Sequence, residues 1–373
     1  MKVCVVGFGN QAEKNIKLFK NKHVVTLYVP IPISVDESME LRQRVVGASI
    51  FYEASSVANC DVYIICVDVK YNTLEQRIDT QQLTDTVMSL RQNIREGCTI
   101  ILETTVGVGI TRSLFTGLNF QCSYSPSNFD PSNITDKAEE LPKLVGGMDE
   151  ESEILAMQFY ETVYNNVIRT GSPEVAEAAI MLHHAKKTME DALMNEFSDF
   201  CDRVPGLDIH KVIDATTTGS RDPKATLPWI GRTVDTNSQH LMSGTGVNKW
   251  PVLSIASEQL VTRPSKIYKS IVDKYCGEGK FDKLHKMAFL VIGVGNAIGS
   301  PDTKDSPVLE IIRYLEMEGA LVHKYDMFID KYSELPEMKH NSGRDKFDGI
   351  LVMHPYNVSM WKKYKQTTFY CRH

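Results

Sequence analysis

Residues 2–12, Lys2-Val3-Cys4-Val5-Val6-Gly7-Phe8-Gly9-Asn10-Gln11-Ala12, decide the fold. Val3 to Val6 is a short apolar run rich in β-branched residues, which suits a buried strand. Gly7 and Gly9 follow at once, and Ala12, Ile16 and Phe19 then recur at helical spacing. His23 to Val29 (HVVTLYV) reads as a second buried strand, so the chain opens as strand, glycine turn, helix, strand. In such a turn the first glycine permits the tight bend, and the second lets the backbone approach a pyrophosphate. A small third residue, here Ala12, lets helix and strand pack closely, and the helix N-terminus faces the anion. Gly7, Gly9, Asn10 and Gln11 are therefore candidate dinucleotide contacts.

The fingerprint lacks one part. It calls for Asp or Glu at the end of the second strand, ~20 residues on, to accept the ribose hydroxyls. That place holds Tyr28-Val29-Pro30, and Asp36 and Glu37 lie beyond the expected strand end. Two readings stand side by side: a bound NAD, or glycines that only shape the turn.

Working outward, the alternation continues. Asp61–Val67 (DVYIICV) is a strand, Leu83–Asn93 a helix, and Thr99–Leu102 a strand ending at Glu103. Phe120–Ser123 leads into Ser125-Pro126, and the run from Val163 to Ile168 forms a last strand of a mostly parallel sheet. Ser172-Pro173 is then a helix start, a hydroxyl cap followed by proline at the first helical position. No glycine or proline interrupts Glu174–Val204, where Val175, Ala178, Leu182, Ala185, Met189, Leu193, Phe197 and Phe200 recur at helical steps. A helix of that length spans ~46 Å, enough to bridge two domains or to form a subunit interface. Shorter helical pieces and glycine loops follow, and then strand and turn at His285–Gly295, a helix at Pro307–Glu318, and strands at Ala320–Tyr325 and Phe347–Met353. The second turn, Gly293-Val294-Gly295, runs into a polar loop, which suits a nucleotide-diphosphate or purely structural role better than a nicotinamide site. The expected fold is α/β, two Rossmann-like domains with mostly parallel sheets joined by a long central helix. Its expected divisions are an N-terminal Rossmann-like domain at 1–170, a central helical dimerisation domain at 171–280, and a C-terminal Rossmann-like domain at 281–373.

Composition bounds the function. The 373 residues are 42% hydrophobic and 24% charged, ordinary for a soluble globular chain. A net charge of −6 argues against nucleic acid or an anionic membrane as the main partner. The eight cysteines include no CxxC pair and read as buried free thiols in a reducing compartment. The opening lacks signal-peptide anatomy and no apolar run reaches spanning length, so a cytoplasmic protein is expected. His183 and His184 have no second ligand at helical spacing, and no metal is expected.

The ordered segments resemble the UDP-glucose/GDP-mannose dehydrogenase family. Gly7-Phe8-Gly9 stands at its first glycine turn, Asp61–Val67 at its strand before a proline-threonine-proline turn, and Glu103-Thr104-Thr105-Val106 at its Glu-Ser-Thr-Val motif. Ser125-Pro126 resembles its Ser-Pro-Glu turn, and Lys143-Leu144-Val145-Gly146-Gly147 its Lys-x-Val-Gly-Gly strand. Glu177-Ala178-Ala179 with Asn195-Glu196-Phe197 resembles its central dimerisation helix, and Asp302–Pro307 its Asp-Thr-Arg-Glu-Ser-Pro segment. The resemblance implies oxidation of a sugar C6 alcohol to an acid with two NAD, and a homodimer formed through the central helix. It also implies Thr105 as a cofactor contact, Lys143, Gly244, Gly246 and Lys304 as substrate contacts, and Glu103, Thr105 and Lys249 as the remaining catalytic candidates.

The family's machinery includes a helix lysine and asparagine, a glutamate after Ser-Pro, and a cysteine that captures the aldehyde. Here those places read Ile180, His184, Ser127 and Lys249, and no cysteine lies between Cys201 and Cys276. Leu253 stands where an aspartate is expected, and Ala297 where a lysine is. A thiolate is needed for the covalent step. The first expectation is therefore a family member without the two-step oxidation, acting by binding a nucleotide, a sugar nucleotide or a protein. The alternatives are a one-step NAD-dependent oxidoreductase with Lys249 or Lys187 as base, and an assembly protein using the scaffold alone.

Overall fold

The structure, a computed structural model, describes residues 1–72, 77–127, 138–217, 250–277, 284–296, 299, 303, 306–333, 347–354 and 368–370. The chain divides into two compact units. Unit 1 is Met1–Phe129, Thr135–Ala185 and Thr236–Trp250; unit 2 is Asp130–Ile134, Lys186–Asp235 and Pro251–His373.

Unit 1 opens with β1 (Lys2–Val6), α1 (Asn10–Phe19), β2 (Val24–Tyr28), α2 (Val35–Arg44), β3 (Ser49–Phe51) and β4 (Val62–Ile65). A short antiparallel pair follows, β5 (Lys70–Asn72) with β6 (Arg77–Asp79). Next come α3 (Gln81–Asn93), β7 (Thr99–Leu102), α4 (Ile110–Phe115), β8 (Gln121–Tyr124), β9 (Lys143–Gly147), α5 (Glu150–Tyr160) and β10 (Val167–Arg169). Among the described residues the main sheet has eight strands in the order β10-β9-β8-β7-β4-β1-β2-β3. The β8–β9 pairing is antiparallel and the others are parallel.

The inner strands read as unbroken apolar runs because both faces are covered. Cys4, Val6, Ile65 and Leu102 share a cluster with Leu83, Val87 and Leu90 of α3. Val3, Val5, Ile64 and Ile101 point the other way, toward Ile16 and Phe19 of α1 and Ala156 and Phe159 of α5. From β1 the chain builds outward to β2 and β3 on one side, then to β4, β7 and β8 on the other. Ligands of open α/β sheets bind outside the C-terminal strand ends at such a reversal.

The long helix α6 (Pro173–Arg203) has its first part in unit 1 and its remainder in unit 2. Ser172 Oγ accepts from Val175 N at 3.4 Å, as the cap reading requires. The apolar stripe read from the sequence is largely not the packed face: Leu182 is 68% exposed and Leu193 63%. Small and mixed residues pack instead, among them Ala176, Ile180 and Met181 in unit 1 and Ala192 and Cys201 in unit 2. Small side chains let neighbouring elements approach closely, and hydrophobicity alone does not register that.

Unit 2 continues with α7 (Ile209–Thr217), α8 (Pro251–Cys276), β11 (Ala288–Ile292), α9 (Pro307–Met317), β12 (Leu321–Tyr325), β13 (Gly349–Val352) and β14 (Thr368–Tyr370). Its sheet is parallel, ordered β12-β11-β13-β14. Ile271 and Val272 of α8, Ile311 and Leu315 of α9, and Phe289 and Val291 of β11 share one core. The seven described cysteines are free and buried. No helix among the described residues is long and apolar enough to cross a membrane.

Candidate functional site

The first glycine turn lies at the sheet reversal. Gly7 has φ +140°, and a Cβ there would meet Cys66 O at 2.6 Å, so the turn is packed hard against the end of β4. Gly7 N donates to Tyr28 O at 2.9 Å, which ties the end of β2 to the same turn. Gly9 has φ +126° and caps α1 without a side chain, so backbone can approach a ligand there. These features fit a pyrophosphate on the first turn of α1. Exposed Asp68 brings a carboxylate oxygen within 3.8 Å of where a Gly9 Cβ would stand, so the mouth carries a negative charge of its own.

The ribose end fits differently. Tyr28 and Val29 are buried and supply no carboxylate, while Asp36 is exposed in the first turn of α2. Arg44, at the end of α2, donates to Asn10 Oδ1 at 3.1 Å and pairs with Glu13 at 2.8 Å.

Beneath the turn lies a buried polar cluster centred on Glu103, one residue beyond β7. Its Oε1 accepts from Lys143 Nζ at 2.7 Å and from the Tyr160 hydroxyl at 2.6 Å. Its Oε2 accepts from Asn15 Nδ2 at 2.6 Å and Gln11 Nε2 at 2.9 Å. Lys143 is 1% exposed; it also donates to Pro126 O at 3.0 Å and lies over the Tyr160 ring at 4.7 Å. Gln11 Oε1 accepts from Ser127 Oγ at 2.8 Å, so the chain of contacts runs from the buried pair to the loop after β8.

Burial pushes the Glu103 carboxyl up, but the Lys143 charge and the donors from Lys143, Tyr160 and Asn15 outweigh it and hold the group below the ordinary carboxylate range. Burial raises the Cys66 thiol well above its usual value, so it rests as a thiol rather than a nucleophile. Burial, reinforced by the Lys143 charge, pushes the Lys14 amine down to about 8.

The structure thus brings Gly7, Gly9, Asn10, Gln11, Glu103 and Lys143 to one end of one sheet. Lys143, expected at the substrate, is instead spent on Glu103. Thr105 is half-buried nearby, while buried Thr104 donates to Val67 O at 2.8 Å and pins the segment. Glu177 accepts from Gly109 N at 2.7 Å and Thr111 N at 2.9 Å, and so anchors α6 to the start of α4. Ile180 packs in the apolar core. Gly244, Gly246, Lys249 and Lys304 lie outside the described residues, and Lys187 pairs with Asp191 at 3.4 Å. Asn15, Tyr160 and Arg44 carry no motif signal and emerge only in three dimensions.

The second glycine turn, in unit 2, is filled from within. Val294 N and Gly295 N donate to Asp326 Oδ2 at 2.8 and 3.0 Å, and Phe328 N donates to Oδ1 at 3.0 Å. Asp326 follows β12, the place where a dinucleotide fold carries its ribose acid, yet it is fully buried against its own turn. His354 closes the other side: a Cβ on Gly293 would meet its ring at 2.6 Å, and its Nε2 lies 2.9 Å from Gly295 O. Burial lowers its pKa and keeps the ring neutral. Of the two roles open to this turn, the contacts are those of the structural one.

A glycine turn at the reversal of a mostly parallel sheet, followed by a second α/β unit, defines a Rossmann-type α/β protein. Residues 31–168 match the NAD binding domain of the UDP-glucose/GDP-mannose dehydrogenase family. It is similar to a UDP-N-acetyl-D-mannosamine dehydrogenase of Methanococcus maripaludis, 20% identical over 384 residues, covering 96% of this chain and 86% of that one. Its fold resembles that of the UDP-N-acetyl-mannosamine dehydrogenase structure from Pyrococcus horikoshii, with a TM-score of 0.79, 18% identity, and coverage of 99% and 94% of the two chains. A UDP-glucose dehydrogenase from Pyrobaculum islandicum has a TM-score of 0.78 at 17% identity, covering 100% and 94%.

Proposed function

We propose that this chain binds a nicotinamide dinucleotide at the unit 1 turn and a UDP-linked sugar, and acts by binding rather than by two-step oxidation. The observation that carries the reading is Ile180. At the α6 position where the family resemblance calls for a lysine, this side chain is packed among core residues and offers no donor to a developing oxyanion. The missing nucleophile between Cys201 and Cys276 points the same way. Groups of this kind act as a unit, and losing them together removes many orders of magnitude of rate. The UDP-sugar class comes from the names of the relatives. A second copy of the chain, meeting the exposed stripe of α6, is the proposed partner.

A second reading, a one-step oxidoreductase, draws on relatives that are named dehydrogenases. One pair of measurements separates the two. Thermal unfolding with NAD, NADH, UDP-glucose and UDP-glucuronate should rise, since a ligand at 100 times its Kd adds ~2.7 kcal/mol. Incubation with NAD and a panel of UDP- and GDP-sugars should produce no NADH absorbance. NADH formation would overturn the binding reading in favour of the second, and no thermal shift with any ligand would leave only the scaffold.

A further inference from the structure

Resting on the dinucleotide reading of unit 1, we propose that Asp68 is the carboxylate that meets a ribose diol of the bound cofactor, supplied from beyond β4 in place of the acid missing at the end of β2. The strand order carries the first step. β1 lies between β2 and β4, and the glycine turn leaves the end of β1, so the two neighbouring strand ends flank that turn. Gly7 N bonds to Tyr28 O on the β2 side, and the place of a Gly7 Cβ lies 2.6 Å from Cys66 O on the β4 side. A dinucleotide fold needs an acceptor for ribose hydroxyls beside this turn. The β2 flank offers buried Tyr28 and Val29 and then half-buried Pro30, none of which carries a carboxylate. The β4 flank offers Asp68, exposed just past Cys66 and Val67.

Asp68 also faces the right space. The second glycine of such a turn is there so that backbone and pyrophosphate can approach, and the place a Gly9 Cβ would take therefore marks the ligand's side of the turn. The turn's own residues aside, the described residues put one atom within 4 Å of that point, Asp68 Oδ2 at 3.8 Å. Two groups of the cofactor compete for a place beside that oxygen, and charge separates them. A diphosphate is an anion like the carboxylate, and the two repel. A ribose diol offers two O–H donors to a group that only accepts. Each carboxylate oxygen has two lone pairs, so a bond to the protein and a bond to a hydroxyl coexist there. The diphosphate belongs to the N–H groups at the start of α1, and each of its phosphates is esterified to a ribose, which brings a diol alongside. Asp68 then favours a nucleotide over a bare diphosphate at the same turn.

Titration calorimetry of the full chain with NAD, ADP, NMN and inorganic pyrophosphate tests this, with pyrophosphate read by competition against NAD. Asp68→Ala should weaken NAD about tenfold or more, as the loss of hydrogen bonds to a charged acceptor implies. The same variant should bind pyrophosphate as well as the wild type or better, because a like charge has left the mouth. Asp68→Asn, with one acceptor oxygen and no charge, should fall between for NAD and match Asp68→Ala for pyrophosphate. A loss shared by ADP would place the contact on the adenosine ribose, and one shared by NMN on the nicotinamide ribose. Unchanged or tighter NAD binding by Asp68→Ala would overturn the inference while the dinucleotide reading survived. So would a loss that pyrophosphate shares in proportion, which is the mark of a disturbed turn. Failure of the wild type to bind NAD would overturn both.

Discussion

Lys143 Nζ lies 2.7 Å from Glu103 Oε1, and the two side chains are 1% and 0% exposed. The pair joins the end of β7 to the start of β9 across β8, and Asn15, Tyr160 and the Pro126 carbonyl bond to it. A buried ion pair of this kind is weak evidence for net stability but strong evidence for interdependence. Taking two charges out of water costs several kcal/mol each, and the pairing has to offset it.

That interdependence is measurable. Lys143→Met should destabilise unit 1 by about 3–5 kcal/mol, because it leaves Glu103 charged and buried without its cation. Glu103→Leu should cost a similar amount, and the Glu103→Leu/Lys143→Met double variant should cost less than the two singles combined, read from urea unfolding. Additive losses would show that the two side chains are not coupled. The pH dependence follows from the depressed Glu103 pKa. A carboxyl held below its unfolded value contributes stability above the unfolded pKa and loses it as pH falls through the folded one. The wild type should therefore weaken on acidification below the ordinary carboxylate range, and Glu103→Gln should weaken less steeply there.

Asp326 is the acceptor for three backbone N–H groups at the second turn. Asp326→Ala strands the buried Val294 and Gly295 amides, and each unsatisfied buried donor costs about 1–3 kcal/mol. The expected loss is roughly 2 kcal/mol or more for unit 2, with the Val294 and Gly295 amides exchanging with solvent much faster than in the wild type. Asp326→Asn keeps an acceptor oxygen and should fall between. Unchanged exchange at those two amides would mean that the carboxylate does not hold the turn.

The two turns show where sequence reading succeeds and where it stops. Both glycine pairs, the strands before them and the length of α6 are legible, since each is encoded by local spacing. The absence of an acid after β2 is legible too. The contact of Arg44 with α1 is not: Arg44 and Asn10 are 34 residues apart in sequence, and the mostly polar run of α2, VDESMELRQR, gives little periodic signal. Asn15 and Glu103 are 88 residues apart, and Tyr160 and Glu103 are 57 apart, so their convergence is a property of the sheet order and of no local pattern. Lys143 carries a motif signal for a substrate contact, yet only burial reveals that its charge is consumed internally. The acid of the second turn falls where the dinucleotide pattern places it, and only the hydrogen bonds show that it serves its own backbone.

The unit 2 part of α6 carries the remaining test. Leu193, Phe197, Phe200 and Val204, the last just beyond the helix, are 63%, 41%, 51% and 38% exposed and fall at steps of four, three and four along one face. The Phe197 and Phe200 rings lie 5.6 Å apart and form the centre of the patch. Isolated exposed apolar residues are ordinary, but a contiguous helical stripe marks an interaction surface. A second α6 presenting the same stripe fits it by symmetry, since a twofold contact brings a patch against itself. We expect the wild type to sediment as a dimer at micromolar concentration and Phe197→Asp/Phe200→Asp as a monomer, with helix content by circular dichroism unchanged because both side chains lie on the solvent side. A stable interface of standard size buries about 1,600 Å², so the dimer should also raise the unfolding midpoint as protein concentration increases. A wild type that sediments as a monomer, or a variant that remains dimeric, would show that this stripe does not join two copies of the chain.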